Sequence, residues 1–311
     1  MENNITIITY HYVRDINKKN LPHLKVLEIK NFKKQIKYIK KKYNVLSFSQ
    51  INEYLKQNKG FPKNSCWLTF DDGYKDHIKN VLPILIKNNL TASFFPTVTY
   101  NKKKKIMSTN KIQILLARGI KEDYILNYII NYISTYKKKY KAKNFSYYEK
   151  KFKFKNQFDN IKISFIKNLL QNALPHKLRE KIVNNLFYKN IKVNEKKFAN
   201  NFYMNEKDIQ NLKKNNMHIG GHGFNHLKLG ELNISEQTKE IKKTSNFLKK
   251  IYGKKKEYVM CYPFGSYNKN TIKILKKFNF KLALTTKRKI ANFSKDNKFE
   301  LPRLDTNDII I

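Results

Sequence analysis

Apolar and polar residues along the first hundred positions fall into short blocks of two kinds. ITIITY (5–10), NVLSF (44–48), CWLTF (66–70) and TASFFPTV (91–98) are nearly continuous apolar runs, which predicts buried strands. NFKKQIKYIKKKY (31–43), SQINEYLKQ (49–57, with Ser49 as its cap) and IKNVLPILIKNN (78–89) carry apolar residues at helical spacing instead. The alternation resumes after 204, with helices over 205–215, 234–252 and 269–278. Strands are expected at MHIGG (217–221), YVMCYP (258–263), KLALTT (281–286) and near ELPRL (300–304). Such a succession predicts parallel strands joined by crossover helices.

The stretch from about 101 to 200 breaks the pattern. Lysine runs and long Ile/Tyr/Leu periodicity, as in DYILNYIINYISTY (123–136), mark it as helical. Its aromatic stripe fits either a helix–helix core or a face docked on a membrane surface. The expected fold is therefore α/β, an irregular (β/α) barrel forming one domain over 1–311, with a helical insertion at 101–200. No stretch approaches the ~20 apolar residues of a membrane span.

Composition adds less than its extremes suggest. A formal charge of +42, from 65 Lys+Arg against 23 Asp+Glu, normally points to nucleic acid or another anionic partner. Here lysine is spread from end to end and travels with abundant Asn, Ile, Tyr and Phe, as an AT-rich coding sequence produces. No nucleic-acid-binding motif accompanies it, so a weak attraction to anionic carriers or a membrane surface is the expectation, and no specific nucleic acid. The two cysteines, Cys66 and Cys261, each lie in an apolar run and read as core residues rather than a disulfide. The opening MENNITIITYHYV has neither a basic segment nor a long apolar one, so a cytoplasmic location is expected.

Chemistry concentrates where predicted strands end. LTFDDGYKDH (68–77) sets Asp71 and Asp72 side by side, an arrangement that costs energy unless a cation or a proton offsets it. Seven histidines occur, and two of them, His222 and His226 in GGHGFNH, are four apart after a predicted strand. Imidazoles so spaced, with one carboxylate from a neighbouring strand end, suit a divalent cation with an open position. No acid lies between the two histidines, so a general base must come from elsewhere, and Asp71 is the evident source. Of nine glycines, Gly73, Gly220, Gly221, Gly223 and Gly265 cluster in these loops.

Together, TFDDGY (69–74), the H-x-x-x-H pair and YPFGSYN (262–268) resemble the polysaccharide deacetylases, the NodB-homology carbohydrate esterases. ITYHYV (8–13) and LPR (301–303) are similar to a branch acting on cell-surface polysaccharides. The resemblance covers roughly 1–100 and 203–304. It implies that Asp72, His222 and His226 hold a divalent metal, usually zinc, that Asp71 is the general base, and that the Phe264 backbone N–H helps stabilise the oxyanion. The implied substrate is an acetylated amino sugar of a polysaccharide, lipid-linked or nucleotide-linked glycan, cleaved to acetate and a free amine. Tyr74, Tyr262, Pro263 and Gly265 are candidate sugar contacts.

Three departures from the family pattern stand out. Gly223 replaces the usual Ser or Thr after the first histidine, and Cys261 stands where many members have an arginine that orients the base, which makes Arg303 the candidate substitute. No histidine follows His226, leaving His11 as candidate general acid, with a structural role for it equally open. The alternative reading is a glycan-binding protein of the same fold that has lost turnover.

Overall fold

The computed structural model describes residues 2–16, 21–99, 104–155, 159–253 and 257–309; the expected insertion boundary at 101–103 lies outside them. Two compact units emerge, one of Met1–Asp15, Val26–Lys105 and Ala199–Ile311, the other of Ile16–Lys25 and Ile106–Phe198.

In the first unit, β1 (Asn4–Tyr10) carries β2 (Asn44–Val45) and β3 (Ser65–Asp72) on one side, β2 pairing with the start of β3 and β3 running parallel to β1 from Thr6/Cys66 to Tyr10/Phe70. Next come β4 (Ser93–Pro96) and β5 (His218–Ile219), also parallel. Gly221 then bridges Met260 in β6 (Tyr258–Cys261), and β6 pairs with β7 (Phe280–Leu284). Leu284 bridges Leu301, after which β9 (Leu304–Asp305) pairs with β1 through Ile8/Leu304. The ring thus closes as an irregular parallel barrel, with single bridges at two of its joints. The sequence pattern gave no hint of β8 (Ala291–Asn292), two residues long and antiparallel to the start of β1.

β3 reads as a continuous apolar run because both of its faces are covered. Cys66, Leu68 and Phe70 join one core cluster while Trp67 joins another, as the two-residue period of a strand requires. Tyr10, Phe70 and Phe94 stack across β1, β3 and β4, each pair with centroids 4.9 Å apart. The strand also runs two residues further than expected, through both acids, with Asp71 opposite Phe95 and Asp72 opposite Pro96.

Helices α1 (Ile29–Lys42), α2 (Phe48–Lys56) and α3 (Leu82–Lys87) pack around this half of the barrel. In α1, Phe32, Ile36 and Ile39 are buried, and Lys40, Lys41 and Lys42 sit at the end where the helix dipole favours cations. The cap of α2 is Ser47, not Ser49: its hydroxyl accepts from the Gln50 N–H while the Gln50 side chain accepts from the Ser47 N–H, a reciprocal box.

The second unit holds α4 (Ser108–Ala117), α5 (Glu122–Tyr140), α6 (Phe145–Phe152), α7 (Ile161–Asn168), α8 (His176–Asn190) and the start of α9 (Glu195–Phe202). Two stripes run along α5. Ile125, Ile129 and Ile133 are buried, whereas Tyr124, Tyr128, Tyr132, Tyr136 and Tyr140 form a partly exposed ladder with successive centroids 6.3, 4.7, 5.4 and 6.2 Å apart. From α8, Lys181 lies over Tyr136 and Asn185 donates to the Tyr132 hydroxyl. Among the described residues no helix is long and apolar enough to cross a membrane.

The remaining helices of the first unit, α10 (Glu206–Lys214), α11 (Ile234–Tyr252) and α12 (Lys269–Lys277), each begin at an Asn cap, Asn205, Asn233 and Asn268. They cover the half of the barrel that carries the histidines.

Candidate metal and catalytic site

The carboxyl end of β3 delivers two neighbouring carboxylates to different surroundings. Asp71 follows Thr69 and Trp67 on one face and meets Arg303, whose Nη1 and Nη2 donate to its two oxygens at 3.0 and 2.7 Å. The guanidinium is itself fixed, donating to the Thr285 carbonyl, the Thr69 hydroxyl and the Cys261 sulfur at 3.0, 3.1 and 3.0 Å. Burial pushes the Cys261 thiol up, so it stays an S–H and lies 3.2 Å from Asp71 Oδ2 as a donor. Burial alone would raise the Asp71 carboxyl as well, but Arg303, and then His222, outweigh it and hold it well below the usual range.

Asp72 turns away because its backbone is left-handed, at φ 70°. Gly73 continues this conformation at φ 73°, and a Cβ there would stand 2.7 Å from Pro96, so the DDG turn needs its glycine. The turn aims Asp72 Oδ1 at two imidazoles, 3.3 Å from His222 Nε2 and 3.4 Å from His226 Nε2. Its carboxyl, raised by burial, is brought well below the ordinary value by hydrogen bonds from those imidazoles.

The histidine loop is held from outside. Asn225, between the two histidines, donates its backbone N–H at 2.8 Å and its side-chain amide to the buried Glu240 of α11. His222 Nδ1 lies 2.9 Å from the Cys261 carbonyl, which can only accept, so Nδ1 carries a proton and Nε2 is the nitrogen turned to Asp72, from which a bound cation would displace any proton. Gly223 has φ 70°, which gives the missing hydroxyl a backbone reason: a left-handed residue stands where the family has Ser or Thr.

One oxygen of Asp72 and one nitrogen each of His222 and His226 all lie within 4.8 Å of one another. Two imidazoles and a carboxylate are a donor set suited to a divalent cation with positions left open, and the convergence of both imidazoles on one oxygen of the buried Asp72 fits one. Asp71, His222 and the Cys261 thiol also approach within that distance, but Arg303 already occupies both Asp71 oxygens.

The other sequence candidates are more dispersed. His11 is exposed just beyond β1; its carbonyl accepts from His77 Nε2 at 2.9 Å, and its imidazole acts on both carboxylates only through space. Phe264, 38 % exposed and left-handed at φ 57°, places its ring 4.8 Å from that of His226. Pro263 is buried beside Gly223, and Gly265, at φ 64°, packs against Thr286. Tyr262 corrects the expectation of a sugar contact: it is 1 % exposed, stacks on Tyr267, and gives its hydroxyl to the Phe299 carbonyl. Tyr74 is also buried, with its hydroxyl on Asp72. His218 is half-buried on Ser93, His77 is buried, and His23 and His176 are exposed.

The family model for polysaccharide deacetylase matches residues 58–121 and 158–283, more than half of the chain. This chain belongs to the polysaccharide deacetylase family. Solved deacetylases share its fold: a Streptococcus pyogenes deacetylase, PplD, in complex with acetate (18 % identity, 97 % of this chain and 92 % of that one, TM-score 0.60), IcaB from Ammonifex degensii (14 %, 97 % and 91 %, 0.56) and a de-N-acetylase from Aggregatibacter actinomycetemcomitans (16 %, 97 % and 94 %, 0.55). No curated protein matches it in sequence. As a polysaccharide deacetylase it is a hydrolase of the sugar N-deacetylase class.

Proposed function

We propose that this deacetylase is metal-dependent, with Asp72, His222 and His226 as the metal ligands, zinc as the metal, and an N-acetylated amino sugar of a polysaccharide or glycan precursor as the substrate. The observation that carries the reading is the division between the adjacent acids. Arg303 grips Asp71 through both oxygens, while Asp72 faces two imidazole nitrogens.

A divalent cation bound there supplies Lewis acidity, polarising the acetamide carbonyl and making water more acidic. The protein's own groups do the rest. Asp71, kept ionised and oriented by Arg303, accepts a proton from the attacking water. The backbone N–H of Phe264 faces the developing oxyanion. As the C–N bond breaks, the amine takes a proton, either that held by Asp71 or one from His11, and acetate leaves. Arg303 on Asp71 answers one of the two departures behind the binding-protein reading, the arginine missing at 261, and so favours turnover; the other, the absent C-terminal histidine, is the one that Asp71 or His11 would make good.

The test is metal analysis of the purified protein with acetate release from N-acetylhexosamine oligomers. Wild type is expected to carry one divalent ion per chain and to release acetate, and Asp71→Asn to keep the ion while losing ~10²–10⁴-fold in rate. Equal rates for the two proteins would refute the assignment of the base.

A further inference from the structure

The two oxygens of Asp72 have different partners. Oδ1 faces His222 and His226, whereas Oδ2 accepts a 2.6 Å hydrogen bond from the Tyr74 hydroxyl. Tyr74 has little freedom to give this bond up. Its ring is 1 % exposed, stacked on Tyr12 at 4.1 Å, with Phe202 edge-on at 5.4 Å and Tyr203 stacked at 6.1 Å. The backbone fixes it too: the Gly73 carbonyl accepts from Met204 N–H, the Lys75 N–H donates to the Phe202 carbonyl, and Tyr74 and Tyr203 form a bridge.

A phenol has one proton to give and a carboxylate only accepts, so Tyr74 spends its proton on Asp72. Arg14 covers the far side of the ring cluster, over the Tyr12 ring at 5.0 Å and the Phe202 ring at 5.1 Å, and is anchored by a 2.6 Å ion pair with Asp76.

We infer that Tyr74 is a positioning residue that restricts Asp72 to a single ligating oxygen, its ring held in place by the stacked Tyr12. With Oδ2 capped, Asp72 can offer the cation only Oδ1, and the coordination position a second oxygen would take stays open for water and the acetamide carbonyl. Partners that orient a ligating carboxylate in this way typically contribute 10–100-fold to metal affinity. The inference rests on Asp72, His222 and His226 being the metal ligands.

Cobalt(II), titrated into the metal-stripped full-length protein and followed by its visible d–d absorption, tests it without reference to turnover. Tyr74→Phe keeps the ring and its packing. It is expected to bind cobalt 10–100-fold more weakly, with weaker d–d bands as Asp72 takes up a second contact and the coordination number rises. Wild-type affinity and spectrum in a folded Tyr74→Phe would overturn the inference; if that variant fails to fold, the weak d–d bands of an octahedral ion in cobalt-loaded wild type would do so. Wild type that binds neither cobalt nor zinc would remove the ligand assignment itself, whereas wild-type binding undisturbed in Tyr74→Phe removes the inference alone.

Discussion

Among the described residues each unit of the molecule buries one Lys or Arg against a carboxylate. In the barrel it is Arg303 on Asp71, with side chains 2 % and 3 % exposed. In the helical unit it is Lys111 of α4, which meets Glu195 at 2.9 Å and Asn184 at 2.8 Å, under the Tyr188 ring at 4.7 Å. The costs of burial are of the same kind in both. What differs is the surroundings. Asp71 adjoins a second carboxylate and two imidazoles at the ends of parallel strands, whereas Glu195, among the described residues, meets Lys111, the Ile106 N–H and the Tyr188 hydroxyl, groups that brace helices. A buried ion pair by itself does not mark a site; convergence of several titratable groups on one opening does.

Breaking the barrel pair has the largest expected effect. Arg303→Met leaves Asp71 buried without its cation, and acetate release should fall ~10²–10³-fold. The Asp71 carboxyl would then rise, so the acid limb of the pH–rate profile should move to higher pH. Unfolding in denaturant should show a loss of about 3–5 kcal/mol, the usual cost of stranding one partner of a buried pair. A variant with normal rate and an unmoved acid limb would remove Arg303 from the machinery.

Acid separates the units next. Burial holds His77 down at about 4 and His218 at about 3. Below the unfolded value of about 6.5 the unfolded chain takes up protons that the folded barrel refuses, so stability is lost as pH falls from there until the folded groups also protonate. By pH 5 this is roughly 2 kcal/mol for each histidine. The histidines of the helical unit, His23 and His176, are exposed. Fluorescence of Trp67, the chain's single tryptophan and part of β3, should therefore report loss of the barrel at a pH where far-UV circular dichroism still keeps the share of helix signal that the helical unit supplies. Coincident transitions at every pH would contradict this.

The smallest effect is expected from the helical pair. Lys111→Met should lower stability by about 1–3 kcal/mol, less than a full stranding because Glu195 keeps two other donors, and acetate release should stay within twofold of wild type. A large loss of activity in this variant would erase the contrast between the two pairs.

Much of the barrel was legible because its helices and strands bury different periods of the sequence. Helix 234–252 and the strands around 66–70 and 258–263 follow directly from that. Two-residue pieces such as β8 leave no period to read. The H-x-x-x-H pair and the double acid were visible as residue types. Their supports were not, because Glu240, Tyr74, Thr69 and Thr285 act through distances that no spacing along the chain encodes. Cys261 read as plain core and is core, yet its sulfur touches both Arg303 and Asp71. Serine at 47 rather than 49 shows a different limit: two hydroxyls stood near one helix start, and only the position of Gln50 decided between them.

The pairing of Ile8 with Leu304 also orders events in time. Until the residues that close the ring have been made, Asp71 lacks its guanidinium partner and the middle of β1 lacks its second neighbour. Orientation of the base and sealing of the barrel are thus one step, since Arg303 and Leu304 are neighbours in the chain.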